Sequence, residues 1–127
     1  MLESILTPGS VAVVTGGAAG IGLASAVRFA ERGLSVCIAD LGEDRLAAAA
    51  EQLAAVAPKG EDAVMTMAVD VSRRSDLEML EAAVRKRFGG TDVLINNAGV
   101  QPRSQMFGPA DNWERVLAVN LWGVIHG

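Results

Sequence analysis

The chain has 127 residues, of which 50% are hydrophobic and 20% are charged, a composition that suits one globular domain and excludes a disordered chain. Its net charge of −4 argues against nucleic acid and against an anionic membrane surface as partners, because both are bound through basic patches. It has no apolar run of membrane-spanning length, no secretory signal pattern at its start and one cysteine, Cys37, which cannot form an internal disulfide; these features predict a cytoplasmic protein.

Strands and helices are predicted to alternate along the whole sequence. The first two strands are continuous apolar runs, which is typical of central strands covered on both faces, and Cys37 in the second is expected to be a buried thiol and not a nucleophile. The predicted strands are Val11–Thr15, Ser35–Asp40, Ala63–Ala68 and Asp92–Asn96. With right-handed crossovers, this alternation predicts a doubly wound (Rossmann) α/β fold over residues 1–127, with a parallel sheet in the strand order 3-2-1-4 and truncated after the fourth βα unit.

A helix is predicted after each strand from the helical spacing of apolar residues. The first helix follows the glycine cluster that ends the first strand, and the apolar stripes of the next two helices begin at Leu46 and Leu77. Ser75 and Glu78 predict a capping box at the start of the third helix, and Gly89–Gly90 predict its end.

The last predicted helix spans Asp111–His126 and has Asp111 as its expected N-cap. Its apolar face allows either packing within one subunit or a homo-oligomer formed through this helix. The same face carries Asn120, whose amide needs hydrogen-bond partners if it is buried, and spacing alone favours a structural role for it over a functional one. The apolar face is formed by Trp113, Val116, Leu117, Leu121 and Val124.

The stretch Val11–Gly22 carries the clearest functional signal. A buried strand ends in a glycine cluster that opens a helix, and this arrangement holds phosphate. Glycines let backbone N–H groups approach the anion, and the helix N-terminus supplies unpaired donors and a favourable dipole. A glycine cluster outside this context would indicate only a turn. The sequence therefore predicts a nucleotide-binding βα turn.

Asp40 ends the second predicted strand, about twenty residues after the glycine cluster. A carboxylate at this position can accept hydrogen bonds from both hydroxyls of an adenosine ribose and would repel a 2′-phosphate, which favours NAD over NADP. Leu41 follows it, where a phosphate-binding protein would use a basic residue, and Arg45 is the one nearby cation that weakens the prediction. The alternative is an N-cap or turn aspartate before Gly42, which is compatible with the ribose role.

Polar residues also follow the third and fourth predicted strands. Asp70 is placed to lie near an adenine, with Val71 packing on the ring, but a turn with Ser72 is equally natural. Asn96–Gly99 suits close approach of a ligand to the backbone, although on spacing alone a turn stabilised by the Asn side chains is favoured.

Taken in chain order, these motifs resemble those of the short-chain dehydrogenase/reductase family. Thr15–Gly22 is similar to the family's T-G-x-x-x-G-x-G loop, and Asn96–Gly99 is similar to its N-N-A-G segment. Asp70–Val71 resembles its adenine-side pair, and Asn120 resembles its helix asparagine. The resemblance covers the chain from Val11 onward. It implies the N-terminal, cofactor-binding half of an NAD-dependent oxidoreductase that acts on a small-molecule alcohol or carbonyl.

The resemblance also implies roles for individual residues. Asn120 would take part in a proton relay, because the family's asparagine positions a water near the catalytic lysine. Asp40 would bind the adenosine ribose, Asn97 and Ala98 would line the other ribose, and the glycines with Ile21 would lie on the pyrophosphate or nicotinamide side. No residue is assigned as a metal ligand. The predicted cofactor-binding residues are Thr15, Gly16, Gly20, Ile21, Gly22, Asp40, Leu41, Asp70, Val71, Asn97, Ala98 and Gly99.

The catalytic Ser and Tyr-x-x-x-Lys of the family lie beyond the helix of Asn120, and this chain contains no tyrosine. Hydride transfer to a carbonyl needs an acid that protonates the developing alkoxide. Lys59 and Lys86 are expected to be solvated, and His126 is expected to compensate a helix dipole. The chain as given is therefore predicted to be inactive alone.

Two hypotheses of different classes follow. In the first, the chain is the cofactor-binding part of a larger oxidoreductase, with Gln101 and Arg103 bordering the substrate side. In the second, it is a stand-alone nucleotide-binding module without catalysis. The apolar strand Asp92–Asn96 favours the first hypothesis, because in isolation it would form an aggregation-prone sheet edge that a purpose-built module would protect with charge or proline.

Overall fold

The computed structural model of the chain describes residues 2–102 and 108–127, and it has strands and helices in alternation. The strands are β1 (Val11–Thr15), β2 (Ser35–Asp40), β3 (Val64–Ala68) and β4 (Val93–Asn96). The helices are α1 (Leu2–Ile5), α2 (Gly20–Glu31), α3 (Glu43–Val56), α4 (Arg74–Phe88), α5 (Ala110–Val116) and α6 (Gly123–His126), with a 3-10 turn at Gly60–Ala63 and a π-helical segment at Leu117–Trp122.

The strands form one parallel sheet in the order β3-β2-β1-β4, which confirms the predicted fold class and strand order. β1 lies in the centre, where Val14 pairs with Ile38 of β2 on one side and with Ile95 of β4 on the other. Every residue of β1 is buried, because helices cover both faces of the sheet. Since the strands are parallel, their carboxyl ends all lie at the same edge of the sheet.

Two apolar cores lie on opposite faces of the sheet. On one face, α2 and α3 pack on the side chains that β1 and β2 direct toward them, with Leu53 and Ile38 fully buried at the centre. On the other face, α4 packs on Val13 and Cys37. Cys37 is buried, which confirms the predicted buried strand thiol, and its burial raises the pKa of the thiol to about 12.

Two of the strands begin one residue later than predicted. Ala63 belongs to the 3-10 turn that precedes β3. Asp92 precedes β4 and joins it to β1 in a different way: its backbone N–H donates to the Val11 carbonyl, and its side-chain Oδ2 accepts from the Val11 N–H at 2.8 Å. A carboxylate therefore takes the place of a backbone carbonyl at the start of this pair of strands.

The start of α4 differs from the predicted capping box, and its end confirms the predicted stop at Gly89–Gly90. The helix begins at Arg74 with no side-chain cap, so the capping box of Ser75 and Glu78 is wrong; Glu78 accepts from Arg74 on the helix surface instead. The carboxylate near this helix start belongs to Asp76, which accepts the N–H of Asp70. At the other end, Gly89 adopts φ +94°, the left-handed conformation that glycine favours at a helix C-terminus.

The last helix is less regular than its apolar spacing predicts. It begins at Ala110 with Pro109 as N-cap, so the prediction of Asp111 as N-cap is wrong. The helix widens into the π-helical segment before it ends as α6. The predicted apolar face is largely exposed, with Trp113 at 55% and Leu121 at 47%. Within residues 2–102 and 108–127, no helix is both long and apolar enough to cross a membrane.

Candidate functional site

One cleft of about 720 Å³ lies at the carboxyl edge of the sheet. The segment that leaves each strand contributes to it: Gly16 after β1, Asp40 at the end of β2, Asp70 after β3 and Asn97 after β4. The last helix forms the opposite wall. Eight of the residues predicted to bind cofactor are thereby brought together, namely Gly16, Asp40, Leu41, Asp70, Val71, Asn97, Ala98 and Gly99.

The glycine loop between β1 and α2 has two glycines with left-handed backbone, Gly16 at φ +64° and Gly20 at φ +56°. A Cβ at Gly16 would lie 2.9 Å from the Ala98 Cα, and a Cβ at Gly22 would collide with the Gly16 carbonyl oxygen. These two positions need glycine because the loop packs against its own helix and against the segment after β4. Around Gly20 there is open space, so its conformation serves a turn at the mouth of the loop.

Thr15 lies beneath this loop and is 2% exposed. Its hydroxyl accepts the backbone N–H groups of Asn97 and Ala98, both at 3.1 Å, and donates to the Ile95 carbonyl at 3.4 Å. The Asn97 side chain adds a second link between the two segments by donating Nδ2–H to the Gly16 carbonyl at 3.1 Å. The structure thus places Thr15 under the site, where it joins the glycine loop to the segment after β4.

Asp40 is bound to the glycine loop by its carboxylate. Oδ2 accepts the Ala18 N–H at 3.1 Å, and Oδ1 accepts the Leu41 N–H at 2.8 Å. Oδ1 also lies 3.6 Å from Nη2 of Arg45. The N-cap of α3 is Gly42, with no side-chain cap, so Asp40 is not a capping residue. Its carboxylate faces the cleft while it holds the loop in place.

Asp70 forms the turn that the sequence left as one of two alternatives. Its Oδ1 accepts both the hydroxyl and the N–H of Ser72, at 2.6 and 3.0 Å. The Ser72 hydroxyl bond holds the pKa of Asp70 below its usual range, and Arg73 and Arg115 lower it further. Asp70 and Val71 also line the cleft, so the turn and a position beside a bound ligand are compatible.

Asn120 lies in the π-helical segment and is exposed, and its amide has the hydrogen-bond partners that a structural role requires. Its Oδ1 accepts the Val100 N–H at 2.8 Å, and its Nδ2 donates to the Val100 carbonyl at 2.9 Å. The side chain therefore ties the last helix to the segment after β4. It lines a second cleft together with Gln101, whereas Arg103 lies outside the described residues.

A sequence model of the family described as short chain dehydrogenase matches residues 10–127. The chain belongs to the short chain dehydrogenase family. It is 42% identical to 3beta-hydroxysteroid dehydrogenase 2 of Eggerthella lenta over 122 residues, which cover 94% of this chain and 45% of that protein.

Solved structures of short chain dehydrogenases share the fold closely. Levodione reductase superposes with a TM-score of 0.89 at 32% identity, covering 95% of this chain and 47% of that one. A variant of actinorhodin polyketide ketoreductase with NADPH superposes with a TM-score of 0.85 at 35% identity, covering 92% of this chain and 44% of that one. The chain thus spans less than half the length of these relatives.

Several of the residues predicted to bind cofactor lie outside the cleft at the carboxyl edge of the sheet. Thr15 ends β1 beneath the glycine loop, and Gly20, Ile21 and Gly22 form the first turn of α2, where Ile21 is 80% exposed. His126 lies away from the cleft, with its ring 5.7 Å from that of Trp122.

Two basic residues of the cleft wall were missed or undervalued by sequence reasoning. Arg115 lines the cleft from the last helix; its place four residues after Asp111, which also lines the cleft, could have indicated a shared face. Arg45 was noted only as a nearby cation, because nothing in the sequence shows where its guanidinium points.

Proposed function

We propose that this chain supplies the cofactor-binding part of an NAD-dependent short-chain oxidoreductase that interconverts a small-molecule alcohol and a carbonyl. The observation that carries the proposal is the cleft in which all four strand ends meet, with the Asp40 carboxylate at one end and the glycine loop beside it. Membership of the short chain dehydrogenase family supports the reaction class. When bound, NAD supplies the acceptor for the hydride that leaves the alcohol carbon.

The residues of the site fit a dinucleotide. Gly20 leaves open space at the mouth of the loop, where a side chain would otherwise stand. The first turn of α2 has no acidic residue and no side-chain cap, so its N–H groups remain available to an anionic pyrophosphate. Ile21 exposes 80% of its surface at this mouth, and a bound ligand would cover it. These features support contacts of Gly16, Gly20, Ile21 and Gly22 with the pyrophosphate or the nicotinamide side.

The other predicted contacts follow the strand order. Asp40 and Leu41 would bind the adenosine ribose, and Asp70 with Val71 would lie beside the adenine. Asn97, Ala98 and Gly99 would line the second ribose. Thr15 acts through the loop, since its hydroxyl is committed to backbone N–H groups.

A preference for NAD over NADP is part of the proposal. Asp40 is only 16% exposed in its side chain and carries a negative charge toward the cleft. A 2′-phosphate placed beside it would be repelled by about 1–3 kcal/mol, or roughly five- to 150-fold in affinity, for charges about 4–5 Å apart near the protein surface. Two ribose hydroxyls can instead donate hydrogen bonds to the same carboxylate.

Asn120 is proposed to serve a proton relay, as the family resemblance implies. Its amide already orders the Val100 backbone through two hydrogen bonds, and its neighbours in the second cleft are Gln101 and Pro102. The remaining support comes from its position in a π-helical segment, a feature frequent at functional sites.

Calorimetric titration of the chain with NADH and with NADPH tests the proposal. We expect NADH to bind more tightly, and Asp40→Asn to reduce the ratio of the two affinities, because the charge is removed while the side chain keeps its size. Asp62→Asn is the matched control: it makes the same change at an exposed residue of the 3-10 turn, before β3 and away from the cleft. Absence of binding by both dinucleotides would overturn the proposal.

A further inference from the structure

Arg45 is the basic residue that faces Asp40 across the adenosine end of the cleft. It lies in the first turn of α3, and its Nη2 stands 3.6 Å from Asp40 Oδ1. Its side chain is 60% exposed and lines the cleft together with Asp40. Asp40 is therefore not an isolated negative charge, because a guanidinium stands within ion-pair distance of it.

The two side chains of this pair differ in how many hydrogen-bond partners they already have. The Asp40 oxygens accept the N–H groups of Ala18 and Leu41 in addition to facing Arg45. Within the part of the chain that the structure describes, the guanidinium has the Asp40 contact and no hydrogen bond. Its planar fork of N–H donors matches the geometry of a phosphate, and most of those donors remain open to the cleft.

Gly42 explains how the guanidinium reaches this position. A Cβ at Gly42 would lie 3.0 Å from Nε of Arg45 and 3.5 Å from its Nη2. The backbone of Gly42, at φ −93° and ψ 114°, lies in a region that any residue adopts, so the turn itself does not require glycine. What the missing side chain provides is space for Arg45 beside Asp40.

We propose that Arg45 is a specificity-determining residue of the dinucleotide site, which limits the preference for NAD that Asp40 sets. This inference rests on the proposed function. The guanidinium offsets the charge of Asp40 and donates to a 2′-phosphate, so that a phosphorylated dinucleotide binds better than Asp40 alone would permit. A dinucleotide with a free 2′-hydroxyl gains little from the same contact, because it brings no charge to this end of the cleft.

The test is a comparison of NADH and NADPH affinities for the chain and for Arg45→Gln. We expect NADPH to bind about tenfold more weakly to the variant, because the contact between the guanidinium and the 2′-phosphate is lost. The affinity for NADH should change by less than about twofold, because Arg45 makes no contact with a ribose hydroxyl in this proposal. Arg32→Gln is the matched control, because Arg32 is an exposed residue at the far end of α2.

A second variant separates position from charge. Gly42→Ala retains every charge but places a Cβ 3.0 Å from Nε of Arg45, which displaces the guanidinium, so we expect the NADPH affinity to fall in the same direction as in Arg45→Gln but by less. An unchanged ratio of affinities in Arg45→Gln, with NADH still bound, would overturn this inference alone. Failure of the unmodified chain to bind either dinucleotide would overturn the proposed function and this inference with it.

Discussion

Replacement of Thr15 by valine removes one buried hydroxyl while preserving the branched shape of the side chain. In the structure that hydroxyl accepts the N–H groups of Asn97 and Ala98. The Asn97 N–H has a second acceptor, the Ile95 carbonyl at 3.0 Å, so it keeps a partner in the variant. The Ala98 N–H has the Thr15 hydroxyl as its acceptor. One unsatisfied N–H at this partly buried position costs about 1–3 kcal/mol, and we expect the free energy of unfolding to fall by that amount.

Urea denaturation followed by circular dichroism measures this change, with an m-value equal to that of the unmodified chain if the native fold is retained. Thr15→Ser is the control, because it keeps the hydroxyl and loses only a methyl group. We expect Thr15→Ser to retain NADH affinity and Thr15→Val to lose part of it, since the hydroxyl no longer connects β1 to the segment after β4 and only the hydrogen bond from Asn97 Nδ2 to the Gly16 carbonyl remains between the glycine loop and that segment. Free energies of unfolding for Thr15→Val within about 0.5 kcal/mol of the unmodified chain would refute the reasoning.

Three further predictions follow from the described residues. Because the pKa of Asp70 is lowered in the folded state, its carboxylate stabilises the fold above about pH 4, and this stabilisation is lost as the pH falls through the folded pKa. The difference in the free energy of unfolding between Asp70→Asn and the unmodified chain should therefore shrink on acidification. A difference that stays constant with pH would contradict this prediction. Cys37, with a pKa of about 12, should resist iodoacetamide at neutral pH until denaturant is added, and rapid labelling of the native chain would count against its burial. The exposed apolar residues of the last helix are proposed to pair two copies, so Leu121→Glu should lower the mass measured by sedimentation equilibrium, whereas the exposed Met79→Glu on α4 should leave it unchanged.

The strand order and the cleft could be predicted because they depend on sequence features, such as apolar runs and glycines, that the packing of the fold itself requires. The apolar run of β1 has no polar alternation, and this holds only for a strand covered on both faces. The glycines at 16 and 22 also indicate close tertiary packing, since a Cβ at either position would collide with another part of the backbone.

The predictions that were wrong concern the helix ends and the regularity of the last helix, where several neighbouring residues could form the same hydrogen bonds. Ser75 and Asp111 each have the residue type of a helix cap, but the helices begin at Arg74 and Ala110 without a side-chain cap, and the Asp76 carboxylate binds the turn at Asp70 instead. The last helix was predicted as one regular helix with 3.6 residues per turn. The π-helical segment has wider turns, and the sequence carries no periodic signal for it.

The anchoring of the glycine loop has a consequence for how tightly the site can bind. Gly16 donates its N–H to the Ala39 carbonyl at 2.7 Å, Ala18 is held by Asp40, and the Gly16 carbonyl is held by Asn97. These contacts attach the loop, which continues from β1, to the end of β2 and to the segment after β4; β1 and the interior of β2 are buried. Local opening of the loop would have to break contacts to the best protected part of the sheet, so the amides of Gly16 and Ala18 should exchange with solvent almost as slowly as those of the strands. A dinucleotide that binds as proposed would meet a loop that is already ordered, and little conformational entropy would be lost when the two associate.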